Sequence, residues 1–346
     1  MAPGQPARPS RWAGSGLAVA AGLAVAACAA SVPNPAGPAP PASPAPTAKA
    51  GTTSAKGPPA PLTNVPVSAA DAQRRAVALV LSGADPRGLA SADVIYQEFA
   101  APVRYIVVFQ SMLASGVGPV TGTQPTDGQA LSVLHPLVGY ASGTPVFIKD
   151  LDHTGVTDLG RPGHPSLYRR TPQGVLVSTG PVLRAARGNG APPPIFYYGD
   201  GSAPPSPLAS AAVSRPSAAR VTIPRYGTES WSYDSRTGRW TLTGGGPRVA
   251  VANVAVQTVP YKQAVVSHRD GTTVPSARVI GTGPAEVLSG FPGRSGMAAP
   301  GTWSKPHLDD VTNYLDRNAS PMVFQPGPTW VILAPIGTRV TTSGGN

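Results

Sequence analysis

The chain has one cysteine, Cys28, among its 346 residues. Residues after it can therefore form no disulfide with one another, no CxxC redox pair and no cysteine-ligated metal centre. Acidic residues are also scarce, and none precedes Asp71. Between residues 29 and 61 there is no aromatic residue and no large aliphatic beyond Val32, so this stretch cannot build a core. The chain contains no GxSxG, HExxH, P-loop or GxGxxG pattern, which removes the motif-recognisable hydrolases, metalloproteases and nucleotide-binding folds.

What is present begins at the N-terminus. Arg8 and Arg11 precede an uncharged run from Trp12 to Ala27 that is mostly Ala, Gly, Val and Leu. A basic region, an apolar region and small residues at its end form the layout of a secretory signal. The apolar run falls short of the ~20 residues of a membrane span. Val25-Ala26-Ala27-Cys28 fits the lipobox of bacterial lipoproteins, in which small residues admit the chain to the signal peptidase and the thiol accepts diacylglycerol. Palmitate-class acylation of the new amino group would add the second chain that stable anchoring needs. The competing reading is an ordinary cleaved signal with a chance cysteine.

Residues 29–61, rich in Pro, Ala, Ser, Thr and Gly, read as a disordered spacer. At ~3 Å per residue where it is polyproline-like, it spans up to ~100 Å. Lys and Arg number 27 against 16 Asp and Glu, and four of the basic residues (Arg8, Arg11, Lys49, Lys56) precede residue 62. The remainder is still basic. A positive envelope protein is attracted to anionic wall polymers and lipid headgroups. The arginines are scattered, however, which equally fits compositional bias. An export signal argues against nucleic acid as a partner.

The chain from residue 62 divides by pattern. Over 62–205 it reads as mixed α/β. "AVALVLSG" (76–83), "DVIYQEF" (93–99), "RYIVVFQSM" (104–112), "TPVFIKD" (144–150) and "PIFYYGD" (194–200) read as strands. "TDGQALSVLHPLVGY" (126–140) has near-helical spacing interrupted by Pro136, and "STGPVLRAARG" (178–188) reads as a short helix. Over 218–340 short β-type runs follow one another between Gly, Pro and Asp breaks, which predicts a mostly β domain, a sandwich or open barrel. "WSYDSRTGRWTL" (231–242) has the alternation of a hairpin. The expected class is α+β. Trp231, Trp240, Trp303 and Trp330 read as core anchors.

"DLDHTGVTDLGR" (150–161) places Asp150, Asp152, Thr154, Gly155 and Asp158 at the spacing of a calcium loop. Arg161 stands where the bidentate carboxylate belongs, so a polar loop is the preferred reading and no metal ligand is assigned. Neither a cofactor nor a catalytic residue is assigned.

A set of segments resembles the YerB-like bacterial lipoproteins, a two-part family of unknown biochemical function. "PLTNVPV" (61–67), "GLASADVIYQE" (88–98), "VRYIVVFQS" (103–111), "GVGPV" (116–120) and "LYRRTPQGVLVSTG" (167–180) resemble its first part. "VTIPRYGTESWSYDSRTGRW" (221–240), "GTGPAEVL" (281–288), "GTWSKP" (301–306) and "FQPGPTWVILAP" (324–335) resemble its second. The chain departs from the family at polar positions. Gln97 stands for an acid, Thr121 and Gln124 stand for two arginines, and Pro172-Gln173-Gly174 replaces Pro-His-Asn. Arg104 remains. If those positions bind an anion in the family, the resemblance implies an altered or vacated site here.

Candidate binding residues are therefore Arg104, Thr121, Gln124, Tyr168, Arg169 and Gln173, with Asp150 and Asp152 from the acidic loop. The reading is a lipid-anchored protein on the extracytoplasmic face of the cell membrane. It would bind or scaffold an envelope protein or an anionic wall polymer. The alternative is a wall glycan or peptide hydrolase or transferase, which needs two carboxylates from among Glu98, Asp127, Asp150, Asp152 and Asp158 in one pocket. A solute-binding lipoprotein ranks last, because repeated βα units are not evident.

Overall fold

A computed structural model describes residues 57–186, 190–198, 214–266 and 271–344. Cys28, the signal-like segment and most of the spacer lie outside the described residues. The end of the spacer belongs to the folded body: Ala60 is buried, and its amide donates to the Val65 carbonyl at 2.8 Å.

Strands dominate and the helices are short, as an α+β class requires. The first half supplies β1 (Val77–Ser82), β2 (Val94–Glu98), β3 (Arg104–Phe109), β4 (Leu137–Gly139), β5 (Thr157–Asp158), β6 (Tyr168–Thr171) and β7 (Gly174–Val177). Its helices are α1 (Ala69–Ala72), α2 (Pro125–Leu131), α3 (Pro145–Asp152) and α4 (Thr179–Ala185). The second half supplies β8 (Ala218–Ile223), β9 (Gly227–Asp234), β10 (Arg239–Gly244), β11 (Ala250–Val251), β12 (Asn253–Val259), β13 (Tyr261–Val265) and β14 (Thr273–Ala277). It ends with β15 (Gly281–Gly290), β16 (Gly296–Lys305), β17 (Asn313–Asp316), β18 (Thr329–Pro335) and β19 (Arg339–Ser343).

Ten of these strands form one sheet, in the order β17-β16-β15-β12-β18-β2-β3-β1-β4-β5. The two halves of the sequence meet inside it. β18 runs parallel to β12 on one side and parallel to β2 on the other, with Trp330 opposite Ile95 and Leu333 opposite Glu98. The β-rich second half is thus not a closed sandwich or barrel of its own. It contributes one end of the common sheet, and a five-stranded sheet of order β11-β10-β9-β8-β19 packs on one face. Local alternation predicts the strands but carries no information about which distant strand completes each ladder.

The strands of the large sheet are buried on both faces, and their period of two sorts side chains into two cores. Leu79, Leu81, Ile95, Val107, Trp330 and Ile332 face the five-stranded sheet, where they meet Val221, Trp231, Trp240 and Leu242. Ala78, Val80, Val94, Ile106, Val331 and Leu333 face the other way, toward Leu131, Leu134, Leu151, Trp303 and Phe324. The four tryptophans read as anchors are fully buried. The 231–242 hairpin is β9 and β10, with Tyr233 opposite Trp240.

Three local expectations change. "TPVFIKD" is helix α3, not a strand: Thr144 caps it by accepting from Phe147 N at 3.3 Å, and Pro145 occupies the first helical position. Its apolar residues bury one stripe, Phe147 and Leu151, at the i, i+4 spacing of a helix. The helical reading of 126–140 holds as far as Leu134, as α2 to Leu131 and a 3-10 turn over Ser132–Leu134. His135 turns left-handed (φ 43°), Pro136 ends the run, and Leu137–Gly139 joins β1 in parallel. Ile195 and Phe196 of "PIFYYGD" enter the second core without forming a strand, and residues 199–200 lie outside the described ones.

Trp330 closes the seam between the halves. Its ring packs edge-on against Tyr105 and Trp231, with centroids 5.8 and 5.6 Å away, and its Nε1 donates to Gln97 Oε1 at 2.8 Å. Trp330→Ala should destabilise the fold by ~3–5 kcal/mol, read as a lowered denaturation midpoint. Trp330→Phe should cost less, ~1–3 kcal/mol, chiefly because Gln97 Oε1 is left without its donor.

Candidate functional site

Arg104 opens β3 and sits directly opposite Glu98, the last residue of β2. Both are buried, as is Asp127 in the first turn of α2. Arg104 Nη1 pairs with Glu98 Oε2. Arg104 Nη2 reaches Asp127 Oδ1 and Oδ2 at 3.0 and 2.9 Å and the Gly122 carbonyl at 3.0 Å. The other lone pairs of both acids are also used. Glu98 Oε1 accepts from Thr126 Oγ1 and from Ala277 N, the latter at 3.0 Å. Asp127 Oδ2 accepts from Thr123 Oγ1 at 3.0 Å and from Gln124 N at 2.8 Å, which caps α2.

One cation thus holds two carboxylates away from water. Burial pushes the Glu98 carboxyl up, Arg104 pulls it back, and Asp127 adds to the rise. Burial works to lower the Arg104 guanidinium, but Asp127 and Glu98 more than offset it and hold it above its usual value. Such a triad is a positioning device: it ties the end of the β2–β3 hairpin, the start of α2 and the β13–β14 hairpin to one point.

A groove of ≈ 360 Å³ lies beside this triad. Two loops run side by side to form it. Thr123 N donates to the Ser142 carbonyl and Ala141 N to the Thr121 carbonyl, at 2.8 and 2.7 Å. Thr121, Thr123, Gln124, Ser142 and Thr144 supply its polar groups, and Phe147, Val266 and Val274 its apolar ones. Among the described residues, no charged side chain lines it. The Gln124 side chain closes a capping box at the start of α2, facing the Asp127 backbone while the Asp127 carboxylate accepts from the Gln124 amide.

Of the residues predicted from sequence, Arg104, Thr121 and Gln124 come together here. The others do not. Asp150 and Asp152 are exposed on the last turn of α3, and the calcium-like spacing is spent on a helix end, not on a loop. Asp158 accepts from Tyr140 Oη at 2.7 Å and from Gly160 N at 2.6 Å. Tyr168 Oη donates to the Leu159 carbonyl at 2.7 Å, Arg169 lines a separate ≈ 450 Å³ cavity, and Gln173 lines a third beside Asp85 and Arg87. Sequence reasoning missed Thr123, Thr126, Ser276 and the Ala277 amide. A usable signal existed in Gln97 and Glu98, two polar residues closing an apolar strand that ends in the core.

Gln97 belongs to a second buried network between the sheets. Its Nε2 donates to Glu229 of β9, while its Oε1 accepts from Trp330. Glu229 Oε2 is buried, and the Trp231 indole N–H also acts on this carboxyl. Burial, outweighing the hydrogen bond from Gln97, pushes the Glu229 carboxyl up to about 7.

Comparison with known proteins gives two family matches. Residues 62–178 match the N-terminal domain and residues 219–331 the C-terminal domain described as "Protein of unknown function (DUF3048)". The crystal structure of YerB protein from Bacillus subtilis is similar in fold. The TM-score is 0.65 at 17% identity, over 82% of this chain and 99% of that one. No curated protein matches the chain.

Two outcomes follow from the buried groups. Arg104→Ala leaves two carboxylates buried without their cation and should cost ~3–5 kcal/mol in denaturant unfolding. For Glu229, the folded state holds the proton up to about pH 7, whereas an ordinary glutamate releases it near 4.5. Stability contributed by the neutral form is therefore full below about 4.5 and is lost as pH rises through about 7, a change on the order of 3 kcal/mol. Glu229→Gln should remove this slope, so its advantage over wild type in thermal unfolding should grow from pH 4.5 to pH 7.5.

Proposed function

Because the chain belongs to the two-part DUF3048 family, of unknown function, we propose that it is a non-catalytic binding or scaffold module of the cell envelope. It would be held at the extracytoplasmic face of the membrane by lipid on Cys28, and its partner would be an envelope protein or an anionic wall polymer. The observation that carries the non-catalytic part is the state of the carboxylates. Glu98 and Asp127 are saturated with internal donors and sealed from water. Asp150 and Asp152 stand out in solvent on a helix end, and Asp158 is engaged by Tyr140. Acid–base hydrolysis needs two carboxyls ~5–9 Å apart that both face the substrate, and the described residues of the groove wall carry none.

The groove offers hydroxyls, the Gln124 side-chain amide and an apolar floor. Its two neutral positions, Thr121 and Gln124, are those at which the family resemblance expects arginine. A site with two guanidiniums there would select anions. With Thr and Gln it suits a neutral hydrogen-bonding surface such as an extended peptide of a partner protein, each lost charged hydrogen bond to an anion being worth ~1.5–3 kcal/mol.

Metabolic labelling with an alkyne-tagged palmitate tests the anchor. Label should enter the wild-type chain and be absent from Cys28→Ser, which should also leave the membrane fraction. Label retained in Cys28→Ser, or absent from wild type, would refute the anchor. Crosslinking in live cells followed by identification of captured species tests the module. Turnover of a wall fragment by the purified chain, with no captured partner, would favour the hydrolase instead.

A further inference from the structure

The largest of the cavities described, ≈ 520 Å³, lies far in sequence from the Arg104 groove, where the loop between β15 and β16 meets the segment entering β8. Ser214 bridges Ala298 in antiparallel fashion, which lays residues 214–217 along the start of β16. The turn of the β9–β10 hairpin closes the cavity: Gly293 N donates to the Ser235 carbonyl at 2.7 Å and Tyr233 Oη to the Phe291 carbonyl at 3.0 Å. Gly296 permits this approach, since a Cβ there would sit 2.5 Å from the Pro216 carbonyl oxygen.

The walls carry Arg215 and Arg294, both exposed, the hydroxyls of Ser217, Ser235 and Ser295, and the aromatic faces of Tyr233 and Phe291. Among the described residues, no carboxylate lines it. Among the described residues neither arginine forms an ion pair, and none of the three serine hydroxyls makes a hydrogen bond. Charge sets this cavity apart from its neighbours. Among the described lining residues, the ≈ 350 Å³ cavity carries Asp85 as well as Arg87, the ≈ 450 Å³ cavity carries Arg169, and the Arg104 groove presents no charge. Two unpaired guanidinium forks beside free hydroxyls match an anionic oxygen cluster flanked by hydroxyl-bearing links. The volume falls in the range of small-ligand sites, ~300–1,000 Å³.

We propose that this cavity binds a phosphodiester unit of a soluble polyol- or sugar-phosphate chain, with Arg215 and Arg294 on the phosphate and the serines on neighbouring hydroxyls. The inference deepens the binding-module reading by giving it a ligand class and a site, and rests on that reading only for the compartment in which such a chain is met. Its chemistry is testable without the anchor.

Binding of a synthetic tetra(glycerol phosphate) to the full-length chain should be followed by calorimetry beside vesicles of phosphatidylglycerol and phosphatidylcholine. Wild type should bind the soluble oligomer, more weakly as salt rises. Each Arg→Ala change should weaken binding roughly tenfold or more, and Arg215→Lys with Arg294→Lys should retain part of it. Both side chains are exposed, so the thermal midpoint should not move, and Thr121→Ala in the other groove should leave binding intact. No binding by wild type, or equal binding by the double alanine variant, overturns the proposal. Binding confined to the vesicles overturns it too, in favour of a membrane-docking surface. Loss of palmitate labelling at Cys28 would leave every one of these readings unchanged, so the two tests fail separately.

Discussion

Strand β18 carries the architecture. It lies between β12 and β2, parallel to both, and is buried over almost its whole length. Parallel central strands lack solvent on either face, so their side chains must be apolar throughout, as Trp330-Val331-Ile332-Leu333-Ala334 are. Without this strand β2 and β12 would each expose a ladder edge and half of both cores. Because β18 comes late in the chain, completing the large sheet requires its ends to find each other across most of the folded sequence.

The Arg104 triad depends on that closure. Ala277 N and Ser276 come from the second half, while Glu98, Arg104 and Thr126 come from the first. Buried charge is tolerated there because every carboxylate oxygen has a donor. The same saturation leaves neither acid a free oxygen toward the adjoining groove. Among the described residues, Arg215 and Arg294 form no ion pair in their cavity, which sets it apart from the hydrogen-bonding groove beside Arg104.

Much of the fold was legible. The strands at 76–83, 93–99 and 104–112, the hairpin at 231–242 and the four tryptophan anchors follow from period-two patterning and aromatic placement. In the segment "TPVFIKD" Val, Phe and Ile weigh toward strand, while the Thr-Pro start that nucleates α3 is only a two-residue signal. Of the candidate residues, Thr121 and Gln124 line one groove and Arg104 lies buried beside it. Asp150, Asp152, Tyr168, Arg169 and Gln173 were identified and scatter, since nearness in sequence or a shared family motif does not bring side chains to one face.

By itself the sequence determined the α+β class, the break in composition near residue 61, the absence of thiol chemistry after Cys28 and the position of most strands. These are consequences of local composition and short periodicity, which act over a few residues. Tertiary structure alone decided that the two halves share a sheet, that Glu98 and Asp127 are consumed by Arg104, and that Arg215 and Arg294 face one cavity. Each of those rests on main-chain hydrogen bonds between distant segments, whose partners are chosen by the burial of the whole sheet and not by any stretch read alone.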